Sequence, residues 1–172
     1  MIVYKIIQYD KINNINDYIP GGLLPVIKYE HTASNSEKAR IEDIFENVRK
    51  SEFHTCPSRH GDAFFVFYSL DDEFSWLFQM SKNESIDYIL VTLDIKKDDI
   101  VWFNVDYFDD SANQSDEIVS QNAKRYWQSK TSEPNSNTGI LYEGLVIGTN
   151  KIVAFKRKHW NHQNREIANI ED

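Results

Sequence analysis

Two hydrophobic rhythms run along the chain, one of period two or continuous, the other close to 3.6. Met1–Tyr9 (MIVYKIIQY) is β-branched and aromatic and predicts a strand. Asn13–Tyr18 predicts one or two helical turns, ended by Pro20-Gly21-Gly22. Ser34-Asn35-Ser36-Glu37 has the spacing of a capping box. Behind it, Ile41, Ile44, Phe45 and Val48 recur at the spacing of an amphipathic helix reaching about Lys50. Ser51–Asp62 then reads as a loop. Ala63–Tyr68 (AFFVFY) is apolar throughout and predicts a central strand buried on both faces. Ser69-Leu70-Asp71-Asp72 opens a helix, with carboxylates at its positive end and Phe74, Leu77 and Phe78 as its apolar stripe. Ile86–Ile95 and Ile100–Val105 predict two further strands.

Asp106–Glu117 carries five carboxylates and no basic residue, and is expected to be a solvated loop. Ser115 caps a helix with Ile118, Val119, Ala123, Tyr126 and Trp127 on one side. Lys130–Gly139 is a polar loop. Leu141–Ile147 and Lys151–Arg157 predict two strands joined by a turn at Gly148-Thr149-Asn150, and the polar residues 159–172 are expected to form a fraying tail. The order β-α-α-β-α-β-β-α-β-β fits one α+β domain over 1–172, not the strict alternation of a doubly wound sheet.

Composition narrows the function classes. The chain has 172 residues with 19 Lys+Arg and 27 Asp+Glu, a formal charge of −8, which disfavours non-specific binding to a phosphate backbone. Aromatics at 13% argue for a packed fold. A single Cys excludes an intrachain disulfide and a Cys-rich zinc site. No apolar run approaches the ~20 residues of a membrane span. Met1-Ile2-Val3-Tyr4-Lys5 lacks the layout of a secretory leader, so the expected location is cytoplasmic and no membrane partner is expected.

Most isolated chemical signals have plain structural readings. His54 and Cys56 lack a third group to make them a base and a nucleophile. His159 and His162 stand three apart with no further ligand at metal spacing, and Asp106, Asp109 and Asp110 lack the Gly and distal Glu of a calcium loop, so no metal site is expected. Lys156-Arg157-Lys158-His159 reads as an edge strand protected by lysine.

Four short segments gain meaning together. They are Val3-Tyr4-Lys5-Ile6-Ile7 followed by Asn14-Ile15 and Tyr18-Ile19; Pro57-Ser58-Arg59 leading to Phe64–Ser69 and a helix; Tyr126-Trp127 near a helix end; and Tyr142-Glu143-Gly144-Leu145-Val146 before the last strand. In this order they resemble the ADP-ribosyltransferase-like superfamily, nearest to the DarT-type toxins and similar small bacterial proteins. The resemblance implies a split, mainly antiparallel sheet with flanking helices, and NAD as substrate. It implies transfer of ADP-ribose to an acceptor it does not identify, or hydrolysis of NAD.

On that resemblance Glu143 is the catalytic carboxylate. The binding residues it implies are Tyr4, Lys5, Ser58, Arg59, Phe67, Tyr68, Ser69 and Trp127. Lys5 would hold ribose or phosphate, Arg59 would bind phosphate, and Tyr68 and Trp127 would shape the pocket. The group carries His or Arg where this chain has Lys5, and a lysine is a mobile point charge in place of a fixed ring or fork. Because Arg59 falls in a Pro/Gly-containing loop, losing its side chain is expected to cost the fold little. The alternatives are an inactive relative of the same fold, or an acidic interaction module of immunity, antitoxin or anti-defence type that binds a basic partner.

Overall fold

The computed structural model describes residues 1–9, 20–22, 36–59, 64–81, 83–135, 139–148 and 150–170. Within them the chain forms seven strands and four α-helices, an α+β architecture built on antiparallel strand pairs. It divides into two compact units: Met1–Pro25, Val66–Lys97 and Gly148–Asp172, and Val26–Phe65 with Asp98–Ile147.

The first unit is built on β1 (Ile2–Gln8) and β3 (Ile86–Ile95), paired from Ile2↔Asp94 to Gln8↔Tyr88. On its other side β1 meets β2 (Phe64–Phe67) at Tyr4↔Phe67. β3 also pairs with β6 (Asn150–Asn161), from Ile86↔Trp160 to Ile95↔Asn150. Strand β3 buries Tyr88, Ile89, Leu90 and Val91 in succession, so both faces of the sheet are covered at these positions. Helix α2 (Glu73–Met80) lays Leu77 on a cluster of Ile6, Phe67, Tyr88, Leu90 and Trp160. At its start, buried Glu73 accepts a hydrogen bond from the Tyr88 hydroxyl (2.6 Å) and two from Lys158 Nζ (2.7 and 2.8 Å).

Three expectations change in this unit. The apolar stripe of α2 does not face inward as a whole: Leu77 is buried, but Phe74 and Phe78 are exposed. The residues expected to fray continue β6 to Asn161 and return as β7 (Glu166–Asn169), paired from Lys158↔Asn169 to Asn161↔Glu166. The basic cluster is therefore no bare edge: β3 flanks it on one side, β7 begins to pair at Lys158, and the Lys158 ammonium is neutralised by Glu73. The helical turns expected at Asn13–Tyr18 lie outside the described residues.

The second unit pairs β4 (Ile100–Asn104) with β5 (Tyr142–Val146), from Ile100↔Val146 to Asn104↔Tyr142. Helices α1 (Ser36–Glu52) and α4 (Asp116–Gln128) pack together here. Ser115 caps α4 as expected, accepting from the Ile118 N–H. The α4 stripe buries Val119, Ala123, Tyr126 and Trp127, while Ile118 is exposed. The acidic loop proves partly helical: Asp106–Asp109 forms the short α3, held because the Asp106 N–H donates to Asn104 Oδ1 at 3.0 Å and Phe108 packs edge-on against Phe45. No helix among the described residues is long and apolar enough to cross a membrane.

Candidate functional site

The second unit buries an acid–base cluster. Glu143 is the second residue of β5, directly opposite Phe103 of β4, and is 3% exposed. Phe103 stacks on Tyr126 of α4 with ring centroids 4.9 Å apart and planes 16° from parallel. That stacking fixes the Tyr126 hydroxyl over β5, where it donates to Glu143 Oε1 at 2.7 Å. Arg59, 6% exposed, completes the cluster. One terminal nitrogen donates to the Tyr126 hydroxyl at 2.8 Å and to Glu143 Oε1, while Nε (2.9 Å) and the other terminal nitrogen (3.2 Å) donate to the two oxygens of Glu42 on α1. The guanidinium also lies 4.2 Å from the Phe108 ring centroid and 4.9 Å from that of Phe65, so its faces meet aromatic rings.

This geometry sets the charges. Burial opposes the Arg59 cation, but Glu143 and Glu42 outweigh it and hold the guanidinium's pKa above the usual arginine range. Burial raises the Glu143 carboxyl, against the pull of Arg59 and the Tyr126 hydrogen bond. The Tyr126 phenol is likewise raised by burial, with Glu143 adding to the effect. Asp109, at the end of α3, is pushed up to about 6 by desolvation and by the negative charges of Glu143 and Asp106. Glu42 and Glu143 share the Arg59 guanidinium, so with both ionised these three side chains sum to a single negative charge.

The expected site residues fall in both units. Ser58, Arg59, Trp127 and Glu143 belong to the second, and the cluster brings Arg59 and Glu143 together. Arg59 is not the exposed loop residue its Pro/Gly neighbourhood suggests, because two carboxylates and aromatic rings enclose it. Ser58 points elsewhere, donating to Glu46 Oε2 at 3.1 Å. Trp127, 1% exposed, donates its indole N–H to the Phe45 carbonyl at 2.9 Å and so ties α4 to α1.

Tyr4, Lys5, Phe67, Tyr68 and Ser69 belong to the first unit. Lys5 is half-buried on β1, and desolvation lowers its ammonium to about 8. Phe67 is buried against the Tyr4 ring, with centroids 5.7 Å apart. Tyr68 is half-buried, and Ser69 accepts from the Asp71 N–H at 3.2 Å and caps a 3₁₀ turn over Leu70–Asp72.

Two members of the cluster carry no chemical role in the sequence taken alone. Tyr126 registers there as an apolar position of a helical stripe, next to Trp127. Glu42 lies between Ile41 and Phe45, and a carboxylate bordering the buried arc of α1 is the one signal that points to it. Among the minor candidates, Cys56 is buried, which raises its thiol, and His159 Nδ1 lies 2.6 Å from Asp87 Oδ1. No group of three or more metal-ligating side chains converges among the described residues.

Residues 7–155 match the model of a family described as "protein of unknown function (DUF2441)", and the chain belongs to that family. Comparison with curated proteins finds no match.

Proposed function

We propose that this member of the DUF2441 family is an ADP-ribosyltransferase-like protein that acts on NAD, with Glu143 as the catalytic carboxylate. The observation that carries the reading is the buried Glu143 carboxylate, held at Oε1 by both Arg59 and Tyr126. Breaking the nicotinamide–ribose bond sends its electron pair to the ring nitrogen and leaves positive charge on the sugar. The acceptor's oxygen or nitrogen then bonds to that carbon and loses its proton. A fixed anion in a water-poor setting stabilises the developing cation without having to reorganise. In this chain Arg59 and Tyr126 are the positioning residues, because two donors on one oxygen keep the carboxylate in one orientation.

The pairing of strands supports the fold side of the proposal. The chain's strands pair antiparallel throughout, β1 with β3, β3 with β6 and β4 with β5, in a chain that also carries helices, as an α+β protein of this kind requires.

The test is nicotinamide release from NAD, followed by chromatography with candidate protein, nucleic-acid and small-molecule acceptors present and absent. Glu143→Gln keeps the shape and removes the charge. Turnover is expected to fall by ~10²–10³-fold, the loss seen when one electrostatic stabiliser is removed. Equal rates in the two proteins refute the role of Glu143.

A second reading is favoured by the burial of the ion pair, whose side chains are 5% and 4% exposed. In that reading the cluster is purely structural and the protein is an inactive relative of the fold. It predicts no nicotinamide release and no thermal shift with NAD. A ligand at 100 times its dissociation constant would instead add about 2.7 kcal/mol.

A further inference from the structure

Helix α2 and the turn that leads into it carry an exposed apolar ridge. Leu70, Phe74 and Phe78 recur every four residues and are 47%, 40% and 42% exposed. Each Phe is braced from beneath: Phe74 lies edge-on against Trp160 (5.1 Å between centroids), and Phe78 stacks on His162 (5.9 Å). The rings are thus fixed in orientation and present apolar surface without a large entropy cost on association.

A side chain of opposite charge stands at each end of the ridge. Exposed Asp71 stands beside Leu70. Beyond Phe78, the turn between β6 and β7 sets the Arg165 guanidinium 5.7 Å from the Phe78 ring centroid. Arg165 reaches that place from a backbone with φ of 55°, a left-handed conformation that is costly for a side chain other than Gly or Asn.

We propose that this ridge is the contact surface between two copies of the chain. A two-fold axis midway between Phe74 and Phe78 sets each Phe74 against the partner's Phe78. The same operation carries the Asp71 end of one ridge to the Arg165 end of the other, so these two charges meet their opposites across the contact. A heterologous partner would need the mirrored charge order; a second copy supplies it. The contact is small and belongs with weak interfaces.

Sedimentation equilibrium from about 10 to about 500 μM covers the affinities such an interface reaches. The wild type is expected to pass from monomer to dimer across this range, and Phe78→Glu to remain monomeric with an unchanged near-UV circular dichroism spectrum. Asp71→Arg and Arg165→Glu are each expected to weaken self-association at least tenfold. An equimolar mixture of those two variants regains both attractive contacts and is expected to form a heterodimer about as tight as the wild-type dimer. A wild type that stays monomeric throughout, a Phe78→Glu variant that dimerises like the wild type, or a mixture that forms no heterodimer overturns the proposal. The mixing arm keeps the test decisive if Phe78→Glu fails to fold.

Discussion

Replacing Arg59 by Ala removes the guanidinium that Glu42 and Glu143 share. Its hydrogen bonds to Glu42 (2.9 and 3.2 Å), to Tyr126 (2.8 Å) and to Glu143 disappear, and two carboxylates that are 4% exposed lose the cation between them. Removing one partner of a buried pair costs ~3–5 kcal/mol, most of it the penalty of the charge left behind. The contacts of the guanidinium with Phe108 and Phe65 place this site toward the upper end. In urea, with a slope of about 2 kcal/mol/M, a loss of about 4 kcal/mol lowers the midpoint by about 2 M. In thermal unfolding it lowers Tm by roughly 8–16 °C.

The pH dependence separates this account from simple loss of packing. The Glu143 carboxyl, already raised by burial, moves further above the ~4.3 of the unfolded chain once Arg59 no longer pulls it down. An acid with a raised folded pKa favours the fold at low pH and loses that advantage as pH rises through the folded value. The destabilisation by Arg59→Ala is therefore expected to be smallest near pH 4 and to reach its full size toward pH 8. A loss below about 1 kcal/mol, or one that is the same at both pH values, refutes the buried-cluster argument.

Asp109 is expected to titrate near 6 when its side-chain carboxyl is followed by NMR, and Glu143→Gln is expected to lower that midpoint, since a negative neighbour holds it up. Lys5, with its ammonium at about 8, favours the neutral amine in the fold. Its contribution to stability is thus expected to rise from about pH 8 toward the unfolded value of ~10.4, and urea titrations of wild type and Lys5→Met across that window check it. Tyr88→Phe removes the 2.6 Å hydrogen bond to Glu73 and leaves the Lys158 pair in place. The expected loss is ~1.5–3 kcal/mol, measured by urea unfolding near neutral pH.

Much of the fold is written in local patterns. The β-branched and apolar residues of Ile86–Ile95 declare a strand, because extended backbone suits them and their burial between the faces of a sheet rewards it. The 3.6-residue rhythm of α4 and its Ser115 cap declare a helix and its start, because both depend on neighbours a few positions apart. Glu143 also stands out locally, as a carboxylate leading an apolar strand next to Gly144.

Three features depended on partners far along the chain and became visible only in tertiary structure. Arg59 meets Glu42, Tyr126 and Glu143 across 17, 67 and 84 positions, so the loop around it could not reveal that its charge is buried and compensated. The polar residues after His159 are ordered because Ile86 and Asp87 supply the pairing that holds Trp160 and His159, and β7 then closes on the same strand. Phe74 and Phe78 share a helical stripe with Leu77, but Leu77 takes the core position, leaving the two rings outward over Trp160 and His162. Helical spacing defines a stripe; which part of it becomes interior is decided by the surfaces that other segments bring to it.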